Sequence, residues 1–427
     1  MLITQIITYI MAVFAAAGAI DRILGNRFGL GGKFDQAFHT MGPLALSMAG
    51  MLVIAPVIAD ILGPVMTPVF RLLGADPAVF AGMFMGTDMG AAPLAEALAL
   101  DPRSAAFSGF VISSMMGATI VFHIPVAMEL AKESKPFIAR GMIAGLITIP
   151  LGCFLGGMAA GFPVSLVLHD LLPVAIVSLI LIIGMLRFRD AMVRGFIWLG
   201  RFIQAVATAG LLLGILQSLT GFTPVKGIAP VSEALGVVAT VAIFLAGAFP
   251  FMHVLTKLLQ KPLRAAGKQI GINEISAIGP LLTLVNSIPM LETMKDMDER
   301  GKVLNAAFCV MGAFVFGDFF GYVGAVNASM LLPMIIAKLS SGIVAMATAL
   351  WMSKGSRMAG HLFLRKRSWV HSAPLHADNS IPQACLGNHA SDSIRPDDDL
   401  RTDRGSDCKR KRPSSHVRPG RRRRGRP

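Results

Sequence analysis

MGTDMGAAPLAEAL, residues 85–98, decides how this chain is read. It lies inside a long apolar region, yet it carries Asp88, a cluster of small residues, Pro93 and Glu96. LLTLVNSIPMLETM, residues 281–294, echoes it. A shift of 196 positions without a gap lays Thr87 on Thr283, Pro93 on Pro289 and Glu96 on Glu292. The echo extends outward. A shift of 195 lays Met116-Gly117-Ala118 on Met311-Gly312-Ala313 and His123 on Asp318. A shift of 194 lays Pro56 on Pro250 and Pro68 on Pro262. Matches that keep one order and nearly one spacing predict two copies of one unit, residues 1–165 and 187–352, with a linking helix at 166–186.

Composition says what kind of unit this is. The chain has 427 residues, 54% hydrophobic and only 15% charged, with a mean hydropathy of +0.64. Soluble domains carry about 25% charged residues. Apolar stretches long enough to cross a bilayer recur along the chain, which predicts an all-α polytopic membrane protein. The short alternating segments of a transmembrane β-barrel are absent. The first 20 residues contain no Lys or Arg, so they read as a first membrane helix rather than a signal peptide.

The net charge of +14 misleads. Residues 353–427 hold 18 Lys and Arg against 7 Asp, leaving +3 for the rest. This tail, with KRKRP and GRRRRGR, reads as disordered and basic, or as an artefact of the sequence. The apolar body is no nucleic-acid binder, and its partner is the lipid bilayer. Cys153, Cys309, Cys385 and Cys408 form no CxxC spacing, so neither disulfide, metal nor other cofactor is expected.

Eleven apolar segments can be drawn, near 2–20, 40–62, 77–98, 104–131, 137–161, 166–186, 195–217, 233–256, 275–292, 303–326 and 328–352. Loop charges orient them, because cytoplasmic loops gather Lys and Arg. Arg22, Arg27 and Lys33 follow the first segment, whereas the equivalent loop of the second copy has only Lys226. Segment 77–98 is flanked by Arg71 and Arg103 alone. Its counterpart is flanked by Lys257, Lys261, Arg264 and Lys268, then by Lys295, Arg300 and Lys302. Each basic loop in one copy matches a poor one in the other, as inverted repeats require. Inversion needs an odd number of crossings between equivalent points. That holds if 77–98 and 275–292 both re-enter, giving nine spans, an outside N-terminus and a cytoplasmic C-terminus. Eleven ordinary spans are the alternative.

Ionisable residues in a membrane are costly and mark substrate or ion paths. Asp88 and Asp318 are the leading candidates. Asp318 lies in VFGDFFGY, among glycines and aromatic rings. Carboxylates beside ring faces suit a small ammonium ion, by charge pairing and cation–π attraction. Asn286, Thr87, Thr283 and Asn327 add neutral hydrogen-bonding groups for a substrate hydroxyl or coupling ion, and serve ordinary interhelical bonds equally well. Glu96 and Glu292 read as interfacial. His123 suits a proton relay or a merely hydrogen-bonded core position. Lys338 reads as a partner for a buried carboxylate. No GxGD, HExxH, GxSxG or P-loop sequence is present, so an enzyme is disfavoured.

MLITQIITYIMAVFAAAGAIDRIL, GTDMGAAPLAEAL, GATIVFHIPVAM, MKDMDERGKVLNAAF and FGDFFGYVGAVNASMLLPMIIAKL, in this order, resemble the ethanolamine utilisation permease family, EutH. The resemblance covers 1–352. It implies a bacterial inner-membrane permease that imports ethanolamine for catabolism, beside a cobalamin-dependent ammonia lyase. The alternative is an ion-coupled carrier of another small amine or organic acid. A homo-oligomer stays open. Two departures stand out: His123 sits where a small polar residue is expected, and the tail is unlike the short polar end the family implies.

Overall fold

In a computed structural model, residues 2–370 are described, with side chains for 4–352. Of the basic tail read above, 353–370 continues the last helix rather than being disordered, and 371–427 lies outside the described residues. Residues Met1–Ser368 gather into one compact unit. Eight helices are long and apolar enough to cross a membrane. These are α1 (Thr4–Ile23), α2 (Leu30–Leu72), α5 (Pro102–Leu130), α6 (Lys132–Ala159), α7 (Val164–Arg187), α8 (Arg189–Thr220), α9 (Val231–Ile270) and α14 (Ala328–Met352). The chain is an all-α polytopic membrane protein.

The segment at 77–98 does not cross. It consists of α3 (Ala78–Phe84) and α4 (Ala91–Leu98), helices of 7 and 8 residues. At about 1.5 Å per residue each reaches only some 10–12 Å, against an apolar core of about 30 Å. Met85 and Gly86 are extended, Thr87–Met89 makes one tight turn, and Gly90 turns left-handed at φ 83°. Gly90 has little freedom to be anything else, since a Cβ there would lie 2.6 Å from Cβ of Met51. The two ends of the segment are tied together: the Asp76 carboxylate accepts the N–H groups of Leu100 and Asp101, both at 2.9 Å. The chain leaves where it entered.

A second hairpin has the same form, with the closing acceptor on its other side. α10 (Glu274–Val285) and α11 (Ser287–Glu292) meet at an extended Asn286. Here the closing carboxylate sits on the exit strand. Asp298 accepts the Asn273 N–H at 2.9 Å and the Ser276 hydroxyl at 2.8 Å. Asn273 Nδ2 also donates to the Asp296 carbonyl at 2.9 Å.

One more segment is broken. α12 (Glu299–Gly312) and α13 (Asp318–Val326) are separated by Ala313–Gly317. Backbone off the helical path inside a membrane must find partners in protein. It does: the Phe314 N–H donates to the Thr283 carbonyl at 3.1 Å and the Phe316 N–H to the Leu284 carbonyl at 2.9 Å. The eleven apolar segments thus resolve into eight continuous helices, one broken helix and two hairpins. Eleven ordinary spans do not describe this chain.

The counterpart of the broken helix at a shift of 195 is α5. It stays continuous but winds as a π-helix over Phe107–Gly117 and Thr119–His123. Every residue of the first stretch is buried. Glycines of α5 let the first hairpin approach. A Cβ on Gly109 would lie 2.7 Å from Ala92 Cα, and one on Gly117 would lie 2.0 Å from the Met85 carbonyl oxygen.

Candidate functional site

The tip of the first hairpin packs against α13. The tip of the second runs beside the linker that leads into α13. The linker at 313–317 therefore joins the two turns. Gly317 permits the contact, because a Cβ there would stand 2.1 Å from the Val285 carbonyl oxygen. Asp88 occupies the first tip and Asp318 the first residue of α13. Both are half-buried. Among the described residues neither has an ion-pair partner within 4 Å, and the two are close enough for their charges to interact. The helix N-terminus beneath Asp318 favours its negative charge.

Lys338, on α14, is fully buried. Its ammonium donates to the Ser114 carbonyl at 2.6 Å and stands 4.9 Å from the centroid of the Phe319 ring. It lies within electrostatic reach of Asp88. The expected carboxylate partner in direct contact is absent. The substitute lies in the π-wound stretch of α5, where the Ala118 N–H bonds the carbonyls of Met115 and Ser113. A backbone carbonyl with an aromatic face opposite can solvate an ammonium where water is excluded. Counted as charged, Asp88, Asp318 and Lys338 sum to one negative charge, the complement of one monovalent cation.

The neutral candidates are placed as follows. The Thr87 hydroxyl is buried and bonded to Ser113 Oγ at 2.7 Å. The Thr283 hydroxyl donates back to the Gly279 carbonyl at 3.0 Å. Asn286 Oδ1 accepts the Ile288 N–H at 2.9 Å, capping α11 at the second tip. Asn327 Oδ1 accepts the Ser329 hydroxyl at 2.6 Å. His123 is buried and stacked on Phe314, with centroids 6.0 Å apart and planes 10° apart.

A cleft of about 500 Å³ runs down the outer side of the first hairpin. Its walls include Pro93, Glu96, Leu100, Phe110 and Asn327, and Tyr322 lies along it. Asn327 thus borders this cleft, at the junction of α13 and α14. Tyr322 follows Asp318 by one helical turn and borders this cleft, a position that the sequence does not single out. One tyrosine among so many apolar residues carries no direction until the helix is placed. On the second hairpin a smaller cavity of about 230 Å³ is lined by Lys132, Glu133, Ser134, Glu292 and Lys295. Glu96 and Glu292, equivalent in the repeat, are both exposed and each borders its own cavity.

Residues 3–352 match the family described as "Ethanolamine utilisation protein, EutH". The chain belongs to this family. It is 45% identical over 354 residues to the "Probable ethanolamine permease EutH" of Listeria monocytogenes, covering 83% of this chain and 95% of the relative. It is 39% identical over 389 residues to the protein of the same name from Escherichia coli, covering 82% and 95%. A protein of Bacillus subtilis named "Uncharacterized protein YxeR" is 41% identical over 354 residues, covering 83% and 96%. No solved structure matches. The match ends where the apolar body ends, so the hairpins, the broken helix and both aspartates all fall within the shared region.

Proposed function

We propose that this chain is a permease that carries ethanolamine across the bacterial inner membrane, acting as a transporter and not as an enzyme. The observation that carries the reading is the pair Asp88 and Asp318, free of ion-pair partners, at the meeting of a hairpin tip and a broken helix. Two carboxylates and one buried ammonium leave room for one small cation, and family membership supplies its identity. Asp88 and Asp318 receive the ammonium group. Thr87, Thr283 and Asn286 shape the turns and line the hydroxyl end, and Asn327 serves the cleft.

The fold supports an inverted pair of repeats, 1–165 and 187–352, joined through 166–186. Five crossing helices, α5 to α9, separate the foot of the first hairpin from that of the second. An odd count puts the feet on opposite faces. The second foot is the basic one, hence cytoplasmic, and the N-terminus is then outside and the C-terminus inside. The 500 Å³ cleft opens outward, and the 230 Å³ cavity beside Lys132 and Glu292 is its narrower inward equivalent. Alternating access exchanges the two.

Labelled ethanolamine flux into proteoliposomes is the test. Saturable uptake that unlabelled ethanolamine competes away is expected. Uptake equal to that of empty vesicles would overturn the proposal, and uptake competed only by a different amine would reassign the substrate.

A further inference from the structure

Tyr322 is one of the largest fully buried side chains in the protein, and its hydroxyl has no hydrogen-bond partner. A buried hydroxyl left unpaired costs about 1–3 kcal/mol, and buried polar groups are almost always satisfied. The position is held firmly. Gly321 and Gly324, on another face of α13, bring it against α9, where Cβ atoms would lie 2.9 Å from Leu245 Cγ and 2.6 Å from the Phe244 ring. The Phe110 ring flanks Tyr322 at 6.2 Å between centroids. A ring so fixed cannot swing its hydroxyl elsewhere to find a partner.

The surroundings of the ring point to a ligand. Tyr322 borders the 500 Å³ cleft, with Glu96 and Asn327. It lies within electrostatic reach of both Glu96 and Asp88. It lies four positions after Asp318, so the two side chains share one face of α13 about 6 Å apart along the axis. That face presents an anion and, one turn on, an unpaired hydroxyl that can donate or accept. A molecule with an ammonium at one end and an alcohol two carbons away has complementary groups in the same order.

We propose that Tyr322 is the specificity-determining residue of the transport site, its Oη bonding the alcohol of a short amino alcohol whose ammonium is held at Asp318 and Asp88. This rests on the ethanolamine reading above and deepens it. Its consequence is selectivity. A site with a buried hydroxyl committed to the substrate's alcohol disfavours the alkylamine that lacks one, because the tyrosine is then left unpaired.

The test compares ethanolamine with ethylamine, which differs by that alcohol alone, in wild-type and Tyr322→Phe proteoliposomes. The wild type should prefer ethanolamine by at least about tenfold, in the ratio of its KM to the inhibition constant of ethylamine. In Tyr322→Phe the KM for ethanolamine should rise about tenfold while ethylamine inhibits as before or better, so the preference collapses. Stabilisation of the detergent-solubilised variant by each amine gives the same ratio if flux is too low to measure. An unchanged preference in Tyr322→Phe, by either readout, overturns the proposal. A wild type that carries no ethanolamine defeats the functional reading instead, so the two failures are distinguishable.

Discussion

The charge count at the site makes a prediction that a purely steric site would not share. Asp318→Asn keeps the shape of the side chain and removes its charge, so Asp88 and Lys338 then cancel. A hydrogen bond to a charged group contributes about 1.5–3 kcal/mol. Its loss should raise the KM for ethanolamine roughly 10- to 150-fold. Adding Lys338→Met restores a single negative charge, now on Asp88 alone. Removing the ammonium also leaves the Ser114 carbonyl without its 2.6 Å donor. That costs about 1–3 kcal/mol of stability, which relief of a desolvated charge offsets in part. The double variant should therefore melt near the wild type and recover about tenfold of the lost affinity. Lys338→Met alone leaves two uncompensated carboxylates, which hold the cation harder and release it more slowly, so KM and kcat should fall together. The assay is uptake of labelled ethanolamine into proteoliposomes at mildly acidic pH, where the amine is almost wholly cationic and does not leak across as the free base. If the folded double variant binds no better than Asp318→Asn, net charge does not govern the site. If Asp318→Asn leaves KM unchanged, Asp318 is not in it.

Further expectations follow from the frame around the site. Gly317→Ala forces a Cβ to within 2.1 Å of the Val285 carbonyl oxygen. The linker must then leave the second hairpin, costing about 1–3 kcal/mol by analogy with overpacking and abolishing most uptake, read as a lower melting temperature and flux. In a background free of native cysteines, Leu100→Cys should react with an impermeant maleimide in intact cells. Asp296→Cys should react only after permeabilisation, and labelling of both from one side would refute inversion. At the second foot, burial works against the Asp298 carboxylate, but N–H groups of Asn273 and Gly301 and the Ser276 hydroxyl hold its pKa below the usual range. A lowered folded pKa adds stability that is complete above the ordinary carboxylate value of about 3.9 and fades as the pH falls through the folded one. Asp298→Asn should therefore lower the melting temperature at pH 7 and flatten its decline below about pH 4.

The parts of this fold that were legible in sequence are those whose physics is local. Length and apolarity of single helices were readable because a bilayer demands both within one stretch. The hairpins were legible for a different reason. Two copies of one pattern, with opposite loop charges, could be reconciled only if 77–98 and 275–292 turned back. What escaped was set by partners remote in sequence. The closing of the first hairpin depends on Asp76 reaching Leu100 and Asp101, and nothing near Asp76 announces that. The sequence suggests a carboxylate as the partner of Lys338, yet its ammonium bonds a carbonyl 224 positions away. Side-chain type cannot reveal an acceptor that belongs to the backbone.

The same contrast separates the two aspartates from the other candidates. Thr87, Thr283, Asn286 and Asn327 each spend a polar group on the protein itself, bonding Ser113, Gly279, Ile288 and Ser329. Those bonds hold two turns and a helix end in shapes that ordinary helix would not give. Among the described residues no side-chain hydrogen bond or ion pair ties Asp88 or Asp318 to another residue. A membrane protein that bears the cost of two carboxylates, then arranges neutral residues to keep the backbone open around them, has separated the work of shaping from the work of binding. The repeat makes the division visible. At the offsets that align the two hairpins, Asp88 falls on Leu284 and His123 on Asp318, so the turns recur and the charges do not. A site that lay on the symmetry axis would need matched residues from each copy. The proposed site, built from the tip of the first hairpin and the first residue of α13, needs no such match.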